Sequence, residues 1–196
     1  MAANDAVDWD ERYRLGDTPW EKGQAHPALV DWLQRHEMRG RILVPGCGTG
    51  HDVRAIATGG AEVIGLDVAP SAVQAAQARS RVGGETYVCG DLFAPPEGWQ
   101  GTFDWVVEHT CFCAISPSRR LDYAESVARL LKPGGHLLGI FFLNPNHDED
   151  GPPYGCTRDE LDGLFAQGFE LEAEQSTLPT YEGREGRETL RILSLR

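Results

Sequence analysis

Glycines at alternate positions, Gly46, Gly48 and Gly50, follow the apolar run Ile42–Val44, and a carboxylate, Asp67, closes a second apolar run 17 residues after Gly50. This spacing suits the binding of an adenosine-bearing cofactor. Glycine has no Cβ, so main chain can approach a ligand closely, and a helix starting after the loop offers unpaired N–H groups. An acid at the carboxyl end of a strand can accept hydrogen bonds from both hydroxyls of a ribose. Two further strand ends carry polar groups to the same edge. Cys89-Gly-Asp91-Leu92-Phe93 offers a carboxylate for an adenine amino group and a bulky pair for its apolar face, and Phe103–His109 ends in Glu108 and His109. For Asp91 the competing reading is a strand end capping a turn.

A dinucleotide fingerprint, G-x-G-x-x-G, would need glycine at residue 51, where the chain has His51. The loop is instead G-x-G-x-G. With no pyrophosphate to cradle, it fits the methionine and ribose parts of S-adenosylmethionine (SAM), with S-adenosylhomocysteine as the product of transfer. A SAM-binding regulator without turnover and a nicotinamide-dependent oxidoreductase are the rival readings of the same strand, loop and acid.

The elements that must position these residues alternate. Strands are expected over 42–45, 63–67, 86–89, 103–108 and 136–143, with helices over 52–58, 70–80, 117–131 and 157–166. Short apolar runs bounded by Gly or Pro, separated by helical stretches, imply a doubly wound parallel sheet. Lys132-Pro-Gly-Gly135 is read as the stop that ends the long helix and turns it into the next strand. Alternation at Phe169/Leu171/Ala173 and Leu190/Ile192/Leu193 predicts a final hairpin around Pro179–Gly186. Ahead of the sheet, Pro27 opens a helix whose apolar stripe is Leu29, Val30, Trp32 and Leu33.

Composition narrows the class. The chain has 196 residues, 41% of them apolar, which suits one domain burying on the order of 70% of its unfolded surface. We expect residues 1–40 to form an N-terminal lid and helix and 41–196 the core. A net charge of -12 without a basic stripe opposes nucleic-acid and anionic-membrane partners. The longest apolar run near the sheet core, Leu137–Leu143, falls far short of the roughly 20 residues that span a bilayer. Met1–Asp5 has neither basic segment nor apolar core, so a cytoplasmic monomer is expected. The five cysteines contain no C-x-x-C pair, against both a disulfide framework and a zinc site. His147-Asp-Glu-Asp150 reads as a solvated loop, and no metal is expected.

Val44-Pro-Gly-Cys-Gly-Thr-Gly-His-Asp52, Gly65-Leu-Asp67, Phe112-Cys-Ala-Ile115, Leu131-Lys-Pro-Gly-Gly135 and Gly151-Pro-Pro-Tyr154 together resemble the thiopurine S-methyltransferase superfamily, nearest its halide/thiol branch. The resemblance implies a class I SAM-dependent methyltransferase fold, α/β and Rossmann-like, with seven strands in the order 3-2-1-4-5-7-6. It implies an aromatic lid from Trp9, Tyr13 and Trp20, a methionine seat at Gly46 with Cys47 and Gly48, and a ribose acceptor at Asp67 beside Val68. Asp91 and Leu92 would meet the adenine, Glu108 and His109 the strand-four edge, and Arg120 the methionine carboxylate or substrate. An exposed helix arginine is the alternative for Arg120, and a rigid surface turn for the Tyr154 loop. The branch usually has Asp-Tyr where this chain has Glu108-His109.

The implied reaction is in-line methyl transfer to a small soft acceptor: a thiol or thiopurine sulfur, a halide, or a selenium or tellurium species. A thiol is only a few per cent ionised at neutral pH, so a base or cation would help, and His109, Tyr13, Tyr154 and Arg120 are the candidates. With eight residues ahead of Trp9 the lid is expected to be short, and Cys111 in place of a bulky aromatic is expected to widen the site.

Overall fold

A computed structural model describes residues 7–143 and 151–196, so the expectations for Met1–Asp5 and for His147–Asp150 lie outside the described residues. Helices α1 (Trp9–Leu15) and α2 (Pro27–Leu33) precede the alternating core. The core runs β1 (Arg41–Pro45), α3 (His51–Ala57), β2 (Glu62–Asp67), α4 (Pro70–Gln77), β3 (Gly84–Cys89), β4 (Phe103–His109), α5 (Arg120–Leu130), β5 (Leu131–Phe142), α6 (Arg158–Phe165), β6 (Phe169–Gln175) and β7 (Glu188–Leu195).

The seven strands pair in the order β3-β2-β1-β4-β5-β7-β6. β1 to β5 are parallel, and β7 runs antiparallel between β5 and β6. This is the class I methyltransferase order expected from the sequence. The chain winds outward from β1 through β2 to β3, then returns to β4 on the other side of β1. Such a reversal opens a crevice at the carboxyl ends of β1 and β4, where α/β sheets bind ligands.

Alternation along β1 divides the interior. Leu43 joins Leu66, Val106, Leu137 and the α5 residues Tyr123 and Val127 on one face. Ile42 and Val44 join Val63, Leu138 and the α2 and α3 residues Leu29, Trp32, Val53 and Ile56 on the other. Successive Cβ atoms point to opposite faces of a strand, so one short apolar segment feeds both cores. The stripe on α2 is narrower than expected: Val30 faces outward, because Pro27 at the first helical position sets a phase that turns Leu29 and Trp32 inward.

Several boundaries differ from the sequence reading. The helix expected over 117–131 begins as a 3-10 turn, Pro117–Arg119, and becomes α-helical only at Arg120. β3 starts at Gly84 and β4 runs on through His109. Lys132-Pro-Gly-Gly135 is not the turn ahead of the next strand but part of β5. Leu131 pairs Phe103 and His136 pairs Trp105, so the segment bulges out of register, with Gly134 at φ +72° absorbing the kink. Among the described residues no helix is long and apolar enough to cross a membrane, and no group of His, Cys, Asp and Glu is placed to hold a metal.

Candidate active site

β1 breaks at Pro45 into a loop in which Gly46, Gly48 and Gly50 all take left-handed φ values, +59°, +52° and +83°. Only glycine adopts these freely. Asp67, at the end of β2, holds the loop in place: the Gly48 N–H donates to its Oδ2 at 2.8 Å, and the Ala69 N–H donates to its Oδ1 at 2.9 Å. Burial pushes the Asp67 pKa up, against the pull of the Ala69 and Gly48 amides. A carboxylate offers about four acceptor positions, so two of them stay available to a pair of ribose hydroxyls. Beside it Val68 is 49% exposed, an apolar surface at the mouth of the crevice. Asp91 is exposed after β3 and spends one oxygen on the Phe93 amide at 2.9 Å. Leu92 differs from expectation, since its side chain is buried in the core and it can offer a ligand only main chain.

The aromatic N-terminal segment lies across this loop. A Cβ at Gly48 would stand 2.8 Å from the Tyr13 hydroxyl, which accepts the Trp20 indole N–H at 3.0 Å. Trp20 packs edge-on against Trp9, with ring centroids 5.3 Å apart. Two carboxylates fasten the segment. Asp10 accepts the Ser71 N–H at 2.7 Å, capping α4 where its own Ala69 has no side-chain acceptor. Glu21 accepts the Thr49 hydroxyl and pairs with His51 at 3.2 Å. Gly46, Cys47, Gly48, Asp67, Val68, Tyr13 and Trp20 thus gather at the carboxyl ends of β1 and β2. The glycine cradle, the half-committed acid and the aromatic cover fit the methionine, ribose and sulfonium of SAM.

At the end of β4 the two predicted residues part company. Glu108 turns inward: it is 1% exposed, accepts the Phe112 N–H at 2.7 Å and the Tyr123 hydroxyl at 2.6 Å, and is pushed up to about 7 by burial. It braces the turn after β4 rather than facing a cofactor. His109 turns the other way, with Nδ1 2.7 Å from Oδ2 of Asp52 on the first turn of α3. Thr110, next in line, has φ +69°, the one positive value among described non-glycine residues. Such strain collects at ligand sites.

Around His109 stand groups that no local sequence signal marked. His26 meets it edge-on at 4.5 Å, and the Tyr181 ring lies 6.0 Å away. The His26 ring is fully buried and bonds Glu188 at 3.0 Å through Nε2. A small cavity of about 10 Å³, room for about one water, lies against His109, Thr110, Cys113, Phe142, Arg184 and Glu188.

Arg120 is neither an exposed helix arginine nor free to meet a ligand. It is 3% exposed, pairs with Glu160, and donates to the Tyr154 and Gly155 carbonyls at 3.2 and 3.0 Å. It therefore anchors the Gly151–Tyr154 loop to α5 and α6. The Tyr154 N–H donates to the Cys113 carbonyl at 2.7 Å, joining this loop to the turn after β4, and its half-buried ring packs on Gly151.

Over residues 4–189 the sequence matches the family described as Thiopurine S-methyltransferase (TPMT). It is 35% identical over 190 residues to "Thiocyanate methyltransferase 1" of Brassica oleracea, covering 90% of this chain and 81% of that one. It is 34% identical over 178 residues to "Probable thiol methyltransferase 2" of Arabidopsis thaliana, covering 87% and 76%. Among solved structures, the 1,6-didemethyltoxoflavin-N1-methyltransferase of Burkholderia thailandensis, crystallised with its substrate and S-adenosylhomocysteine, shares the fold. It aligns with a TM-score of 0.71 at 20% identity, over 95% of this chain and 84% of that one.

Proposed function

Because the chain belongs to the thiopurine S-methyltransferase family and is a SAM-dependent methyltransferase, we propose that its acceptor is the sulfur of a small molecule. The observation that carries this reading is the crevice itself, with Asp67 and the glycine loop on its floor, the Trp9–Trp20 segment across it, and His109 at its β4 side. When bound, SAM supplies an electrophilic methyl group on a positively charged sulfur.

In this reading Asp67 accepts the ribose hydroxyls, Gly46, Cys47 and Gly48 line the methionine part, and Val68, Asp91 and the main chain at Leu92 meet the adenine. The aromatic faces of Trp9, Tyr13 and Trp20 exclude water and favour a cation by roughly 0.5–2 kcal/mol. Excluding water matters because a hydrated sulfur anion is a poor nucleophile, and because alignment of acceptor, methyl and leaving sulfur supplies much of the rate. Tyr13, Tyr154 and His109 bound the acceptor end, and Arg120 acts by holding the Tyr154 loop. The thiocyanate and thiol methyltransferases among its relatives support a small soft acceptor.

We assign this activity to one cytoplasmic domain acting as a monomer, with residues 7–40 as lid and helix, and the net charge of -12 supports the absence of a nucleic-acid partner. The test is a panel of thiols, thiocyanate, iodide and thiopurines incubated with SAM, volatile products being read by headspace gas chromatography and the rest by mass spectrometry. Methylated sulfur products are expected. Tight SAM binding with no methylated sulfur would overturn the reading.

A further inference from the structure

The main-chain donors beside His26 and His109 constrain the tautomers of both rings. The Ala28 N–H donates to His26 Nδ1 at 3.1 Å, so that nitrogen carries no proton. His26 is therefore the Nε2–H tautomer, donating to Glu188, which also accepts from Thr180 and pairs with Arg184 at 3.3 Å. The main-chain N–H of His26 donates to Asp52 Oδ1 at 2.8 Å, which leaves Oδ2 for His109 Nδ1–H. In its neutral form His109 then has its lone pair on Nε2, which makes no hydrogen bond among the described residues.

We propose that the acceptor enters as a neutral thiol and that His109 Nε2 removes its proton, with Asp52 holding the imidazole and the His26–Glu188 pair holding both in register. The proposal rests on the sulfur-methylation reading and names its acceptor class. As the S–H proton passes to Nε2, a sulfur lone pair forms the new S–CH3 bond. The electron pair of the old S–CH3 bond stays with the departing sulfur, which becomes a neutral thioether. The proton leaves His109 for solvent afterwards, so charge balances.

The surroundings favour a neutral entrant over a preformed anion. The groups facing His109 are Asp52 from α3, Glu188 from β7, His26 ahead of α2, and Tyr181 and Arg184 from the β6–β7 connection, while Glu108 on the same strand turns inward. Two carboxylates, Asp52 and Glu188, against one guanidinium make a poor seat for thiocyanate or iodide while His109 is neutral. A thiol enters without desolvating a charge and ionises only by creating its own imidazolium partner. Burial lowers the His109 pKa, but the Asp52 charge and hydrogen bond, with Glu188 and Glu108, outweigh it and stabilise that imidazolium. Burial keeps His26 neutral.

The test compares an alkyl thiol with an aromatic thiol already ionised at pH 7, in wild type, His109→Asn, Asp52→Asn and Glu188→Gln. SAM titration calorimetry certifies folding, and the His109 ring is titrated by NMR without ligand. At pH 7, His109→Asn is expected to cut alkyl-thiol kcat/KM about 100-fold, and the ionised aromatic thiol at least about tenfold less severely. The alkyl deficit should shrink as pH rises towards the pKa of the thiol itself, where it ionises unaided. Asp52→Asn should lower the His109 titration midpoint, and Glu188→Gln should lower it by less. Equal losses on both acceptors, a pH-independent deficit, or an unmoved midpoint in Asp52→Asn would overturn this proposal alone. A wild type that methylates neither thiol would overturn the sulfur-methylation reading with it.

Discussion

Asp67 accepts the Gly48 amide at 2.8 Å, so the acid at the end of β2 fixes the shape of the loop after β1 before any ligand arrives. A preformed seat spares the ligand the cost of ordering it. Asp67→Asn keeps the shape of the side chain and removes its charge, so SAM affinity should fall about 10- to 100-fold, a loss of about 1.5–3 kcal/mol. Titration calorimetry checks this, and unchanged affinity in a folded variant would take Asp67 out of the site.

Glu21 joins the aromatic segment to the glycine loop through Thr49 and His51. Glu21→Ala should free the segment, with faster proteolysis between residues 9 and 25. SAM binding should weaken by about 0.5–1 kcal/mol, as expected for a partly exposed ion pair. A segment as resistant as that of wild type would show that the aromatic packing and the Asp10–Ser71 hydrogen bond hold it without Glu21.

Glu108 gives a stability signature. Its folded pKa is about 7 against an ordinary value of 4.5, so the folded state binds its proton more tightly than the unfolded state does. Its contribution is therefore fully present below pH 4.5 and lost as pH rises to about 7, on the order of 3 kcal/mol across that window. Urea unfolding between pH 5 and 8 should show wild type losing stability relative to Glu108→Gln. Parallel curves would mean Glu108 stays ionised throughout.

Arg120 separates holding a loop from holding a ligand. Arg120→Met breaks the contacts with Glu160 and the Tyr154 and Gly155 carbonyls, and stability should fall by about 2–3 kcal/mol. Acceptor KM should rise while SAM affinity stays within about twofold, since Nη1 and Nη2 are held by Glu160 and the Tyr154 and Gly155 carbonyls and Nε is buried. A tenfold loss of SAM affinity would contradict this and return Arg120 to the cofactor.

The sheet was legible because each strand is a short apolar run punctuated by Gly or Pro, and the resemblance supplied the strand order. Lys132-Pro-Gly-Gly135 misled because Pro and Gly mark a departure from regular geometry without saying whether it is a turn or a bulge. Gly48 and Asp67 could be proposed from the sequence because their signature is local. Asp52, His26 and Glu188 could not, since they lie far apart in the chain and meet only when α2, α3 and β7 converge on the end of β4. Glu108 and Leu92 were placed at the right edge. Sequence position alone could not say that their side chains turn inward, because burial there depends on α5 and the turn at Phe112, elements distant from both strand ends.

The most direct measurement is transfer of label from SAM carrying a 13C methyl group to an alkyl thiol at pH 7–8, followed by NMR. A labelled S-methyl thioether and one equivalent of S-adenosylhomocysteine per methyl transferred are expected, with both lost together in Asp67→Asn at limiting SAM. Bound SAM whose label never appears on sulfur, across the thiols, thiocyanate and thiopurines, would contradict the sulfur-methylation reading.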